Sequence, residues 1–399
     1  MKYQGNIMVI TYWSLNDALI QTYTLPYLRQ IRSLIGDSRK IILVCLEKNG
    51  THHPLTQLEP GIEILQLPYI PFGGKAALKW LSYLTLLKKT IRTNAVGVIH
   101  AWCTPAGMIA YLLSKKTGKP LIIDSFEPHA EAMVENGSWK PNSMAFRLLF
   151  RYEKQQYKQA QHLICCTESM KDYAEKKYGK THANFYVKPA CVDRNLFSFN
   201  LQKRDSLRRE LLLENKTVMV YAGKLGGIYL DEEVFRFIKQ SIEVFGENFR
   251  VLFLSAHTIE EIHERCMHFA IPTEFIQLKF VPHREVPDYM MTADFAITPV
   301  KPVPSKRFCS PIKDGEYWSL GLPVVITENI SDDSSIIHHE NAGVILREFT
   351  DSALRKAARE MKKLLDDENP ETLRSRIQQL AIQHRNFENS LNVYRAIYD

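Results

Sequence analysis

The chain has 399 residues, 45% of them apolar and 24% charged, with a formal net charge of +7. That length exceeds one small core and points to two or three globular domains. Cys45, Cys103, Cys165, Cys166, Cys191, Cys266 and Cys309 show no C-x-x-C spacing, which argues against a disulfide framework or a zinc site. After one early lysine, only the short apolar run Ile7 to Ile10 precedes Tyr12 and Trp13, too brief for a signal peptide. No apolar run approaches the roughly 20 residues that span a bilayer. A soluble protein of a reducing cytoplasm is expected. Charge is uneven: residues 1–200 hold 25 Lys+Arg against 14 Asp+Glu, and residues 201–399 hold 26 against 30. The first half is expected to meet something anionic.

Ile7 to Thr11 reads as a buried strand, and Ser14 to Asp17 as the turn into a helix from about Ala18 to Ile35. Further strands are expected at 40–46, 62–67, 96–101, 121–124 and 162–166. These runs are rich in Ile, Leu and Val and are mostly separated by helical stretches, as in a doubly wound parallel sheet. A helix over 72–92, starting at Phe72, sets Lys75, Lys79, Lys88, Lys89 and Arg92 beside Leu78, Trp80, Leu81, Tyr83, Leu84 and Leu87. Arg147, Arg151, Lys154 and Lys158 form a second basic segment. A basic helix with aromatics can lie on anionic lipid headgroups; it can equally keep its lysines in water. The stretch from Asp124 to Glu131 follows a strand end and groups Asp124, Glu127 and Glu131 with His129. A polar acceptor or sugar contact is preferred there over a metal site, since no second histidine motif supports a metal; ordinary loop solvation is the alternative.

After Phe197 the chain turns polar, and 200–210 is the best linker candidate. A second α/β series follows, with strands at 217–222, 249–254, 274–281, 295–299, 323–327 and 343–346. The first of these runs into Gly223-Lys224-Leu225-Gly226-Gly227, where glycines let backbone N–H groups approach an oxyanion at a helix start and Lys224 adds a full charge. The spacing is neither a dinucleotide fingerprint nor a P-loop, and a plain strand-to-helix turn remains the alternative. Backbone groups at Val281 to His283, beyond a strand end, could pair with a flat base. Ser310 can cap a helix opening at Pro311 and ending at Gly321. On it Ile312, Glu316 and Leu320 share a stripe, so a carboxylate interrupts an apolar face and needs donors such as ribose hydroxyls; a solvated carboxylate at the rim of the helix is the alternative. Lys313, one position round, could face a phosphate.

Taken together, these segments resemble the retaining glycosyltransferases of the GT-B fold, family four. Val187 to Asp193 with Phe197 is similar to the segment closing the first domain, Tyr221 to Gly227 to the phosphate loop, Val281 to Pro287 with Ala293-Asp294 to the base-binding region, and Ser310 to Val325 to the donor helix. His384 to Tyr398 resembles the closing helices. The resemblance implies two doubly wound Rossmann-like domains facing across a cleft: an acceptor domain at 1–198, a nucleotide-sugar domain at 199–378, and helices crossing back at 379–399. It further implies that Glu316 holds the ribose, that Lys224, Lys313, Gly223 and the Gly226-Gly227 helix start hold the diphosphate, and that Val281, His283, Ser310, Pro311 and Ile312 complete the donor site. His129 or Glu127 falls near the reacting sugar, and Asn16, Asp17 and Glu131 near the acceptor. The donor is expected to be a nucleotide sugar, UDP-linked rather than GDP-linked, with no cofactor or metal. The acceptor is expected to be a glycan or lipid-linked glycan of a surface polysaccharide, at the inner face of an anionic membrane, with no nucleic acid involved.

Three positions depart from the family pattern. Phe308 stands where a second glutamate is usual, Tyr229 and Leu230 stand near the place of a second phosphate-loop lysine, and Ser14 to Asp17 lacks paired glycines. Lys313 or Lys306 is then the expected substitute cation, and backbone near Cys309 to Ile312 the expected contact to the sugar hydroxyls. A nucleotide-sugar epimerase of the same fold and a non-catalytic nucleotide- or carbohydrate-binding partner are the alternative readings.

Overall fold

The computed structural model describes residues 3–17, 19–48, 53–70 and 74–399, with side chains at all of these except 53 and 74–78. The expected helix starts at Ala18 and Phe72, and the side chains of Lys75 and Leu78, lie outside the described residues. The chain forms two compact units, Met1–Pro189 with Glu388–Asp399, and Ala190–Phe387.

The first unit is built on eight strands: β1 (Asn6–Ile10), β2 (Ile41–Glu47), β3 (His53–Glu59), β4 (Ile62–Pro68), β5 (Val96–Trp102), β6 (Leu121–Asp124), β7 (His162–Cys165) and β8 (Asn184–Val187). Their order is β3-β4-β2-β1-β5-β6-β7-β8. Every pairing is parallel except the β3–β4 hairpin. The parallel strands other than β8 are those the apolar runs foretold. β3 and β8 escape a search for such runs, because His53–Glu59 is largely polar and Asn184–Val187 is a short, half-buried edge. The helix expected to begin near residue 18 opens as a wide turn at Ile20–Thr24 and becomes α-helical only at Leu25–Leu34. Pro26 sits at that junction and has no N–H to return to the preceding turn.

A buried charge cluster ties the C-terminal helix Phe387–Tyr398 to this sheet. Lys188 Nζ lies 3.2 Å from Asp124 Oδ1, both side chains wholly buried, and stands 3.7 Å above the Tyr27 ring. Tyr394 donates to Asp124 Oδ2 at 2.9 Å, and Tyr398 lies 2.7 Å from His100 Nδ1. Burial alone would raise the Asp124 pKa. Lys188, His100 and Tyr394 more than offset it and leave the carboxyl below its ordinary range.

The second unit carries β9 (Thr217–Ala222), β10 (Phe249–Leu254), β11 (Ile276–Lys279), β12 (Phe295–Thr298), β13 (Val324–Thr327) and β14 (Gly343–Leu346). All are parallel, in the order β11-β10-β9-β12-β13-β14. This is the order of a dinucleotide-type sheet, whose switch point lies between β9 and β12. Ligands bind such sheets beyond the strand C-termini at that point.

The 200–210 segment is a helix, not a linker. It runs from Leu201 to Glu210, and the Asn200 side chain accepts from Lys203 N–H at its start. Its charges are paired: Arg204 and Arg208 reach Asp294 at 2.7 and 3.3 Å, and Asp294 also accepts from Val218 N–H at 2.8 Å. Asp294→Ala is expected to lower stability by about 2 kcal/mol, since it takes the carboxylate from two guanidinium groups, which keep backbone carbonyl partners, and the acceptor from Val218 N–H; a shifted urea midpoint at unchanged slope checks this. The contact boundary falls at 189, ahead of 198, because Val192 and Phe197 pack into the second core. Residues 379–387 also stay with the second unit, where Leu380 and Ala381 are core residues.

Candidate active site

Two loops of the second unit leave the switch point, one after β9 and one after β12. The β9 loop starts at Gly223, where a Cβ would sit 2.8 Å from Lys313 Cε. Lys313 therefore crosses the loop backbone directly. Its Nζ bonds the Tyr229 hydroxyl at 3.1 Å and stands 4.7 Å from the centre of that ring. Gly226 and Gly227 adopt φ of +77° and +64°. They do not open the helix, contrary to expectation. Leu230 N–H bonds Pro299 O, Tyr229 bridges Val300, and the helix begins only at Glu232. The pairing to the β12 loop keeps the chain extended for these residues. Lys224 is exposed; its carbonyl accepts from the Tyr221 hydroxyl at 2.6 Å, and its ammonium has no ion pair among the described residues.

The helix expected from Pro311 runs over Ile312–Ser319. It ends as foreseen at Gly321, φ +77°, where Gly321 N–H reaches Trp318 O and Leu322 N–H reaches Tyr317 O. Ser310 does not cap it. Its hydroxyl instead accepts from Ala190 N–H at 3.0 Å and contacts the Arg385 guanidinium. From Asp314 onward the helix is buried on all sides rather than along one stripe; Tyr317 fixes it to β9 through Ala222 N–H at 3.0 Å.

Glu316 is 8% exposed, and its carboxylate accepts no hydrogen bond among the described residues. Burial, opposed by Lys313, pushes its pKa up to about 7. A buried acid with its acceptors unused is costly; ligand hydroxyls would relieve it. Beneath it lies a second network that the sequence did not disclose. Arg385, wholly buried, holds Asp333 and Ser310, donates to Ala190 O at 3.2 Å, and passes under Gly315, where a Cβ would lie 3.1 Å from Arg385 Cγ. Asp314 accepts from the Thr298 hydroxyl; burial and the neighbouring Asp333 raise its pKa well above the carboxylate range. Phe308 is buried, so no carboxylate occupies its position.

Val281 and His283 follow β11. The Val281 N–H and C=O have no partner among the described residues, and His283 packs edge-on to Phe197 at 6.0 Å. Among the described residues no hydrogen bond joins either residue to the Gly223 or Ser310 loops.

In the first unit, Asn16 and Asp17 lie in the loop after β1. Asp17 accepts from Leu19 N–H at 2.9 Å; Asn16 is exposed. The loop is anchored by Glu47, which accepts from Leu15 N–H at 3.0 Å and from Ser14. Glu127 and His129 lie beyond β6 as a pair, His129 Nδ1 to Glu127 Oε1 at 3.1 Å, both partly exposed. His129 begins the helix His129–Glu135, which Glu153 steadies by accepting from Ala130 N–H at 2.7 Å. Glu131 is engaged by Tyr173 and Lys177; burial and Glu135 push its pKa up to about 7.

Residues 31–196 match the model of Glycosyltransferase Family 4. The whole chain also superposes on sucrose-phosphate synthase from Thermosynechococcus elongatus, with a TM-score of 0.73 at 14% identity, covering 99% of both chains. The chain is a glycosyltransferase of the GT-B fold. Other solved structures similar to this glycosyltransferase include Anabaena Alr3699/HepE in complex with UDP-glucose, TM-score 0.69 at 14% identity over 99% of both chains. WaaG, described as a glycosyltransferase involved in lipopolysaccharide biosynthesis, has a TM-score of 0.69 at 12% identity over 98% of this chain and 99% of its own. No curated protein sequence matches the chain. The family match falls within the first half of the chain and stops short of the Gly223 and Ser310 loops.

Proposed function

We propose that this glycosyltransferase draws its sugar from a nucleotide-sugar donor, UDP-linked in preference to GDP-linked. The sugar passes, with retention of configuration, to a glycan or lipid-linked glycan in surface polysaccharide biosynthesis. The observation that carries the reading is Glu316: a buried, unpartnered carboxylate at the switch point, one helical step from a lysine that lies across a glycine. Vicinal ribose hydroxyls offer that carboxylate its two donors. Lys313 and Lys224, with the Gly223 to Gly227 backbone, meet the diphosphate and stabilise the charge that develops on it as it leaves. With cations of the chain in that role the scheme needs no metal. Lys313, arriving from the donor helix, takes the place of the phosphate-loop lysine that Tyr229 and Leu230 displace. Val281 and His283 offer backbone groups to the base. His129 and Glu127 are the residues for the reacting sugar, and Asn16, Asp17 and Glu131 those for the acceptor. The structure of HepE with UDP-glucose supports the choice of base.

Among the described residues no helix is long and apolar enough to cross a membrane. A cytoplasmic enzyme, in peripheral contact with an anionic inner membrane surface through its basic first half, fits a lipid-linked acceptor. Lys224→Ala is expected to lower kcat/KM for the nucleotide sugar by about tenfold to a hundredfold, the loss of one charge-assisted contact to phosphate. Acceptor-dependent release of nucleoside diphosphate from a panel of nucleotide sugars measures it. Unchanged turnover would remove Lys224 from the site, and absence of release from every donor would overturn the reading.

A further inference from the structure

Between residues 64 and 123 the chain has eight Lys and Arg and no Asp or Glu, although acids make up 44 of the 399 residues overall. Helix propensity does not ask for this: the first turns of the helices Gly74–Thr93 and Thr104–Thr117 would favour acids, and neither has one. The two helices end around one cavity of about 470 Å³ that opens to solvent, lined by Lys88, Ile91, Arg92, Val96, Lys116 and Lys119, of which Lys88, Arg92 and Lys116 are exposed. Four cations thus surround a space with no carboxylate in its wall. None of the four makes an ion pair among the described residues. A helix C-terminus attracts a cation only weakly. That explains one lysine at the end of each helix, but not four like charges gathered round a single cavity from which every acid is missing.

We propose that this cavity binds a phosphate group. A phosphate dianion would relieve the mutual repulsion of the four side chains, and Arg92 can take two of its oxygens in a fork. The cavity lies at the N-terminal end of β5, and Glu127 and His129 follow the C-terminal end of its neighbour β6. A seven-residue strand puts about 20 Å between the two ends, so this is a separate site from the one that transfers sugar. The same chemistry is offered by a free phosphate, as on a phosphorylated metabolite, and by the phosphodiester of a lipid headgroup. The proposal does not rest on the donor assignment, and either can fail without the other.

Two ligands separate the sources: inorganic phosphate, titrated calorimetrically, and vesicles of phosphatidylglycerol with phosphatidylcholine, sedimented at low salt against vesicles of phosphatidylcholine alone. The variant is Lys88→Gln, Arg92→Gln, Lys116→Gln, Lys119→Gln combined. The control removes four exposed cations of the second unit through Lys239→Gln, Lys356→Gln, Arg359→Gln and Lys363→Gln. The cavity variant is expected to bind phosphate, the anionic vesicles, or both at least about a hundredfold more weakly, since each cation near an anionic surface counts separately. The control should bind as the parent does. Phosphate uptake without vesicle retention identifies a soluble ligand, and retention on anionic vesicles identifies a headgroup. If the parent binds neither, or if cavity variant and control lose binding equally, the cavity is not a phosphate site.

Discussion

Glu316→Gln is expected to leave a protein that folds at least as well as the parent and transfers sugar at least about a hundredfold more slowly, because two charge-assisted hydrogen bonds to ribose become weaker neutral ones. The two halves of this expectation share one cause. With its acceptors unused, the ionised carboxylate is held out of water at a cost, which is why its pKa rises from 4.5 to about 7. Between those values the folded chain keeps a proton that the unfolded chain has released. Stability from this group is therefore complete below the lower value and is lost as pH rises through about 7, a change of about 3 kcal/mol. Glutamine carries no such penalty, so the variant should melt higher than the parent at pH 8 and alike at pH 5. Ribose hydroxyls favour the ionised form, so parent affinity for the nucleotide sugar should rise from pH 5.5 to 8 while that of the variant stays flat. A calorimetric series across that range checks both. A variant with parental turnover, or a parent whose donor affinity ignores pH, would take Glu316 out of the ribose contact.

Arg385→Met should be the most damaging single change in the second unit. Methionine keeps the stem that passes under Gly315 but removes the guanidinium from Asp333, Ser310 and Ala190 O. Two carboxyl groups, Asp333 and Asp314, then face each other in a dry site without a cation. Breaking one side of a buried pair costs about 3 to 5 kcal/mol, which for a unit of this size lowers the melting temperature by roughly 10 °C. Adding Asp333→Asn to Arg385→Met removes the stranded charge and should return much of the lost stability. It should not return the KM for the proposed nucleotide-sugar donor, since Ser310 still lacks its anchor at the start of the Ile312–Ser319 helix. If the double variant recovered both, Arg385 would serve the fold alone.

How far the site could be read from sequence depends on whether a residue's role is local. Gly223, Gly226, Gly227 and Gly321 announce tight backbone through composition alone, and Glu316 stands out as a carboxylate among apolar neighbours on a short helix. The start of that helix was misread because Ser310 has the chemistry of a cap, and only tertiary structure shows the hydroxyl already engaged by Ala190 and Arg385. Tyr229 counted as a missing lysine until its hydroxyl proved to hold Lys313. Arg385 gave no signal: a lone arginine after a helix is an ordinary surface residue until Asp333, 52 residues earlier, is brought against it. The charge-rich stretch 200–210 misled in the same way, since charges paired across 90 residues look like charges in water.

Two parallel α/β sheets were settled by the sequence, because strands covered on both faces must be continuous apolar runs and the helices between them must be long enough to cross over. The glycine-rich turn that follows β9 at Gly223, and an acid at 316 among apolar neighbours, were legible there too. The strand order, and with it the switch point that brings the β9 and β12 loops together, was decided only by tertiary structure. So was the state of Glu316: whether a carboxylate is solvated or dry depends on what the rest of the chain packs around it, and no local pattern contains that information.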